Sequence, residues 1–233
     1  MDPNLATNLT GSQIPAYART MSGTEPPVAL DGRSLGKRGV LTRRRLLDAT
    51  SELLETHGVR DVRVVDIART VGTSPATFYQ YFRDVEEAVL ALAEEVGEQA
   101  APLGELIDRS WDGPEGIDLA RELVDGFLTY WDRHRAVLRT RNLAAQEGDQ
   151  RFRDVRNGAL RPLTEGFARK VARNGPSELA PYAAAAAVVA MMERLAAFHV
   201  DLADRYGTSR AEVVETTAWI VYQTVTRPRP DGS

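Results

Sequence analysis

Residues 72–82 read Gly-Thr-Ser-Pro-Ala-Thr-Phe-Tyr-Gln-Tyr-Phe, and they hold the densest polar and aromatic chemistry in the chain. Hydroxyls at Thr73, Ser74, Thr77, Tyr79 and Tyr81, with the amide of Gln80, can donate to phosphate oxygens or to the edges of bases. None of these groups stands beside a residue that would turn it into a nucleophile. Upstream, Arg33, Lys37, Arg38, Arg43, Arg44 and Arg45 form a basic stretch free of acids in a chain of net charge −4. A local patch of that sign creates its own field whatever the total. The chemistry on offer is recognition of a polyanion.

Reactive alternatives lack residues. There is no cysteine, so thiolate catalysis, disulfides and Cys-based zinc sites are excluded. His57, His134 and His199 are far apart, and no metal-ligand spacing, HExxH or Gly-rich phosphate loop occurs. The expectation is a protein without cofactor or metal, and not an enzyme. Residues 1–20 have no signal-peptide pattern, and the apolar run Ala183–Met192 is half the length that crosses a bilayer. A soluble, cytoplasmic protein follows.

The elements that would position residues 72–82 are helices. Strand alternation and hairpin turns are absent, so the expected fold class is all-α. Helices are predicted over 42–57, 64–71, 75–82, 84–99, 103–109, 116–133, 135–146, 150–174, 178–206 and 209–226. Ser74 with Pro75 reads as a cap and first helical residue; Asp84/Glu87 and Ser209/Glu212 read as capping boxes. Inward faces are Leu46, Thr50, Leu53, Leu54 and His57 on the first helix, and Val65, Ile67, Ala68 and Val71 on the second.

The domain reading is a tail over 1–36, a three-helix unit over 37–84, a connecting helix over 85–100, a helical bundle over 101–226 and a tail over 227–233. Within the first tail, the segment before Met21 fits a vector-derived leader.

Two short helices joined by Val71-Gly72-Thr73-Ser74 after a longer one form a helix-turn-helix, whose second helix enters the DNA major groove. Helical spacing divides the aromatics. Phe78 and Phe82, four apart, face the core; Tyr79 faces out, with a hydroxyl for a phosphate and a ring for a thymine methyl. The expected DNA-contact set is Arg43, Arg44, Arg45, Thr73, Ser74, Pro75, Ala76, Thr77, Tyr79, Gln80, Tyr81 and Arg83. Gln80 favours adenine, because its amide can bond both N6 and N7.

From about Arg45 to Val89 the chain resembles the DNA-binding domain of the tetracycline-repressor (TetR) family. The resemblance is carried by Leu47-Asp48-Ala49, Leu53-Leu54-Glu55, Val65-Asp66-Ile67-Ala68, Gly72 through Phe82, and Glu86-Glu87. It implies a dimeric, ligand-responsive regulator, most simply a repressor released from a near-palindromic operator by a small effector. An activator, or an effector-independent architectural protein, would use the same residues. The resemblance also implies a homodimer through helices 178–206 and 209–226, whose Ala183–Ala187 run lets helices approach closely. The chain departs from the family pattern at Val85, where a phosphate-contacting lysine is usual; Arg83 is the substitute at hand. In the bundle, Trp111, Phe127, Tyr130, Trp131, Phe152, Phe167, Met191, Met192, Phe198 and His199 could line an apolar pocket for a lipophilic or aromatic effector.

Overall fold

The computed structural model describes Leu30 and residues 33–226 apart from 114 and 177. The tail beyond 226, and residues 1–20 with the leader reading, lie outside that range.

Among the described residues ten helices follow one another: α1 (Lys37–Thr56), α2 (Val64–Val71), α3 (Pro75–Phe78), α4 (Val85–Glu98), α5 (Ala101–Asp108), α6 (Gly116–Arg133), α7 (Arg135–Gln146), α8 (Gln150–Asn174), α9 (Pro181–Tyr206) and α10 (Arg210–Val225). The first three pack together, with α1 also against α4 and α7. In the remainder α8 lies against α4, α5, α7 and α9, while α10 closes on α6 and α9.

Local chemistry accounts for most boundaries. Gly72 ends α2 at φ 72°, where its N–H meets Arg69 O and the N–H of Thr73 reaches Ala68 O at 2.9 Å. That is a Schellman cap, and it requires a residue at ease in the left-handed region. Ser209 and Glu212 form the expected reciprocal capping box. At α4 the box is half made: Asp84 accepts from the Glu87 N–H, but the Glu87 carboxylate takes the N–H of Arg83 instead.

Four differences from the sequence reading stand out. Helix α1 begins at Lys37, five residues before Thr42, so most of the basic stretch is helical. Helix α3 is a single turn, continued to Phe82 by hydrogen-bonded turns. Val65 is 45 % exposed and His57 is exposed, while Ile67, Ala68 and Val71 fill the buried side of α2 and Leu46, Leu47, Ala49, Thr50 and Leu54 that of α1. Leu30, assigned to a featureless tail, donates its N–H to Gln80 O at 3.1 Å.

By length and composition α9 could cross a membrane, contrary to the reading of its apolar run as too short. The run breaks at Glu193 and Arg194, and the apolar pattern resumes with Leu195, Ala196, Ala197, Phe198 and Val200. Half of its most apolar window is nonetheless buried inside the bundle, with Ala185, Val188, Val189, Met192 and Ala196 in the core.

Candidate nucleic-acid interface

The turn and α3 sort their side chains by burial. Phe78 and Phe82 are buried, with ring centroids 5.5 Å apart, beside Leu46, Leu47, Leu54 and Ile67 in the same core. Between them Tyr79 is 53 % exposed, its ring edge-on to Phe78. Ser74, Pro75, Ala76 and Gln80 are exposed, and Thr73 and Thr77 half-buried. The Ser74 hydroxyl accepts the Thr77 N–H at 3.3 Å and lies 3.2 Å from the Thr77 hydroxyl. The cap therefore shapes the ridge Ser74–Pro75–Ala76–Tyr79–Gln80 as well as starting the helix. The Gln80 backbone carbonyl accepts from Leu30 and its backbone N–H donates to Thr77 O at 3.2 Å, so neither bond engages the side-chain amide. Tyr81 is half-buried against the core, its hydroxyl close to Gly39 of α1.

The arginines are placed differently from a free basic arm. Arg43 stacks over Phe82 at 5.2 Å and pairs with Glu95 of α4 at 3.5 Å. Arg44 pairs with Asp48 and with Glu95, and these bonds, the one to Asp48 first, raise its pKa. Arg45 donates to Val71 O at 2.8 Å, fastening α1 to the last turn of α2. All three guanidinium groups thus tie the helix-turn-helix together and to α4. Lys37 and Arg38, on the first turn of α1, are exposed. Arg83 pairs with Glu87 at 3.2 Å. Burial works against the Glu87 carboxylate, but the N–H and guanidinium of Arg83 outweigh it and hold its pKa down. Val85, half-buried, opens α4 with no charge to offer.

In the bundle the expected pocket residues separate. Trp111, Phe127, Phe152, Phe167 and Met192 are buried; Trp111 donates to Leu106 O at 3.0 Å and meets Phe167 edge-on. Tyr130 donates to Val96 O, and burial raises its pKa first of all. His199 is held between Ala196 O at 3.1 Å and Asp132 at 3.4 Å. Trp131 and Phe198 line a cleft of about 920 Å³ that also includes the end of α1. A second cleft of about 840 Å³ runs between α4, α8 and α9, and a third of about 270 Å³ includes Trp111. Phe127, Tyr130, Phe152, Phe167, Met191, Met192 and His199 line none of these three.

Sequence reading missed the buried network beside the first cleft, in which Glu193 accepts from Arg141 at 3.4 Å, from Asn142 at 3.3 Å and from Arg156. Burial pushes the Arg141 pKa down, while Tyr130 and Glu193 act to raise it. A signal existed: Glu193 interrupts the apolar face of α9, and a carboxylate there demands a partner.

The profile described as the tetracyclin repressor-like C-terminal domain matches residues 103–232, more than half of the chain, and that of the bacterial regulatory proteins of the tetR family matches 46–97. The chain belongs to the TetR family. It is therefore a DNA-binding transcription regulator by family, with an all-α fold of helix-turn-helix unit and helical C-terminal domain. No curated protein sequence matches this regulator. Among solved structures, the fatty acid degradation regulator FadR from Bacillus halodurans superposes with a TM-score of 0.62 at 17 % identity, covering 82 % of this chain and 97 % of that one. NalD, the secondary repressor of the MexAB-OprM multidrug efflux pump in Pseudomonas aeruginosa, gives 0.58 at 19 % identity over 81 % and 98 %. A TetR-family regulator from Streptomyces coelicolor gives 0.61 at 14 % identity over 80 % of each chain. At these identities the likenesses show the fold.

Proposed function

We propose that this regulator is a cytoplasmic repressor that binds a near-palindromic operator as a twofold dimer and leaves it when a small effector binds. The observation that carries the reading is the exposure of Tyr79 between buried Phe78 and Phe82. A tyrosine held open by two anchored neighbours is preorganised for contact, and its ordering entropy is largely lost before binding. In this reading Thr73, Ser74, Pro75, Ala76, Thr77, Tyr79 and Gln80 face the major groove, with Gln80 reading adenine. Tyr81 and Arg83 approach phosphates from the flank. Arg43, Arg44 and Arg45 serve the interface by fixing α1, and the exposed Lys37 and Arg38 are the cations free to meet the backbone.

Support for the dimer comes from α9 and α10, where Tyr182, Val200, Tyr206, Trp219 and Ile220 are large apolar residues exposed on the single chain. Large apolar side chains left exposed on a single chain suit an association surface. A twofold pair sets two recognition turns about one DNA turn apart, which calls for an inverted repeat. Repression is the role named for NalD, which shares this fold, and release by an effector is what the family resemblance implies. Effector binding would act by favouring a dimer whose half-site spacing no longer fits.

Tyr79→Phe is expected to weaken operator binding about tenfold, the size of one lost hydrogen bond to a charged oxygen, with the melting temperature unchanged. Fluorescence anisotropy on labelled operator reads it out. Native affinity in the variant would remove the phosphate contact from the account.

A further inference from the structure

The cleft of about 920 Å³ joins the two parts of the protein. Its walls come from the end of α1 and the loop after it (Leu54, His57, Val59), from α7, from the start of α8 and from α9. Charge on these walls is lopsided: Arg135, Arg139, Arg153, Arg156 and Arg194 face it, against Glu55 and Glu193.

Internal pairing leaves an excess. Glu193, 5 % exposed, is shared between Arg156 and the buried Arg141, so two guanidinium groups meet one carboxylate. Desolvated charge that is incompletely neutralised is unfavourable, and an arriving anion relieves it. Arg135 is answered by Asp132 at 2.7 Å and by Ala197 O. Arg139, Arg153 and Arg194 make no ion pair among the described residues; Arg153 donates to Gln150, and Arg194 lies over the Phe198 ring at 3.7 Å. Trp131, 1 % exposed, lines the same cleft, and its indole N–H is a buried donor without a partner among the described residues. Native structures rarely leave such a donor unmet. Around these groups Leu54, Val59, Leu143 and Phe198 supply apolar wall.

We propose that this cleft binds a small amphipathic anion, a carboxylate or phosphate head on an apolar body. Arg156 with the rim arginines takes the head, since guanidinium forks match both oxyanions in two-point contact, and Leu143 and Phe198 take the body. The site deepens the effector reading above and rests on it for its consequence at the operator. Because one wall is the end of α1, occupancy biases how the helix-turn-helix unit sits against α7. The requirement for negative charge separates this site from a purely lipophilic pocket among Phe127, Phe152 and Phe167.

Isothermal titration of the full chain with decanoate, decyl phosphate, decanol and inorganic phosphate, each below micelle formation, tests the proposal. At least one of the two amphipathic anions is expected to bind about tenfold or more tighter than decanol and than inorganic phosphate. The tighter of the two names the head group. Combined Arg139→Gln, Arg153→Gln and Arg194→Gln, all on exposed side chains outside the buried network, is expected to weaken the anion by about tenfold with an unchanged melting temperature. Decanol binding as well as the anions, neither anion binding, or native affinity in the triple variant overturns it. Operator binding by the same preparations is followed without ligand. Protein that binds operator but no anion loses the cleft and keeps the regulator reading; protein that binds an anion but no operator does the reverse.

Discussion

Phe82→Ala is expected to destabilise the helix-turn-helix unit by about 3–5 kcal/mol, the range for truncating a buried aromatic. Phe82 is 2 % exposed, meets Phe78 at 5.5 Å and carries Arg43 over its face. Alanine removes the ring, leaves a cavity beside Phe78 and frees Arg43 from its stacking partner. The unit is small, so a loss of that size approaches the whole stability of many domains. Amide hydrogen exchange reports it directly: protection in α1–α3 should fall while α6 and α8 keep theirs. Because the recognition ridge is held by this core, operator binding should fall with it. Exchange in α1–α3 equal to the native protein would show that Phe82 is not an anchor.

The second large effect lies in the bundle. Glu193→Gln leaves Arg141, 1 % exposed, without a counter-charge, and breaking a buried pair in this way is expected to lose about 3–5 kcal/mol. Arg156, whose side chain is 32 % exposed, can turn to water; Arg141 cannot. The double substitution Arg141→Met with Glu193→Met removes both charges, and is expected to regain most of the loss. Urea denaturation of the native, single and double variants measures the difference. A double variant no better than Glu193→Gln would mean that shape rather than charge makes the site.

What could be read in advance divides along the range of the interactions. Gly72, Ser74, Pro75, Ser209 and Glu212 act on neighbours three to five residues away, so their roles were legible from order and spacing. The contrast between Phe78 or Phe82 and Tyr79 follows from helical geometry, and burial agrees with it. Longer-range facts had no such signal. Arg45 meets Val71 O across a separation of 26 residues, and Arg141 meets Glu193 across 52. A basic run looks the same whether it faces solvent or, like Arg44, is held by Asp48 and Glu95. Val65 fitted an inward pattern, yet the helix is only eight residues long and Ile67, Ala68 and Val71 already fill its buried side. The bundle aromatics were recognised as apolar, but only Trp131 and Phe198 meet the cleft beside α1, because packing decides which of them reach a cavity.

Selection of bound DNA from a random pool at defined salt tests the central claim, that the ridge around Tyr79 reads a specific operator in a twofold dimer. The expected product is an inverted repeat whose half-sites lie about one helical turn, roughly 34–36 Å, apart. It should be lost from the same selection run with Tyr79→Ala. A pool that yields no enriched sequence, or only a single unrepeated half-site, would contradict the account.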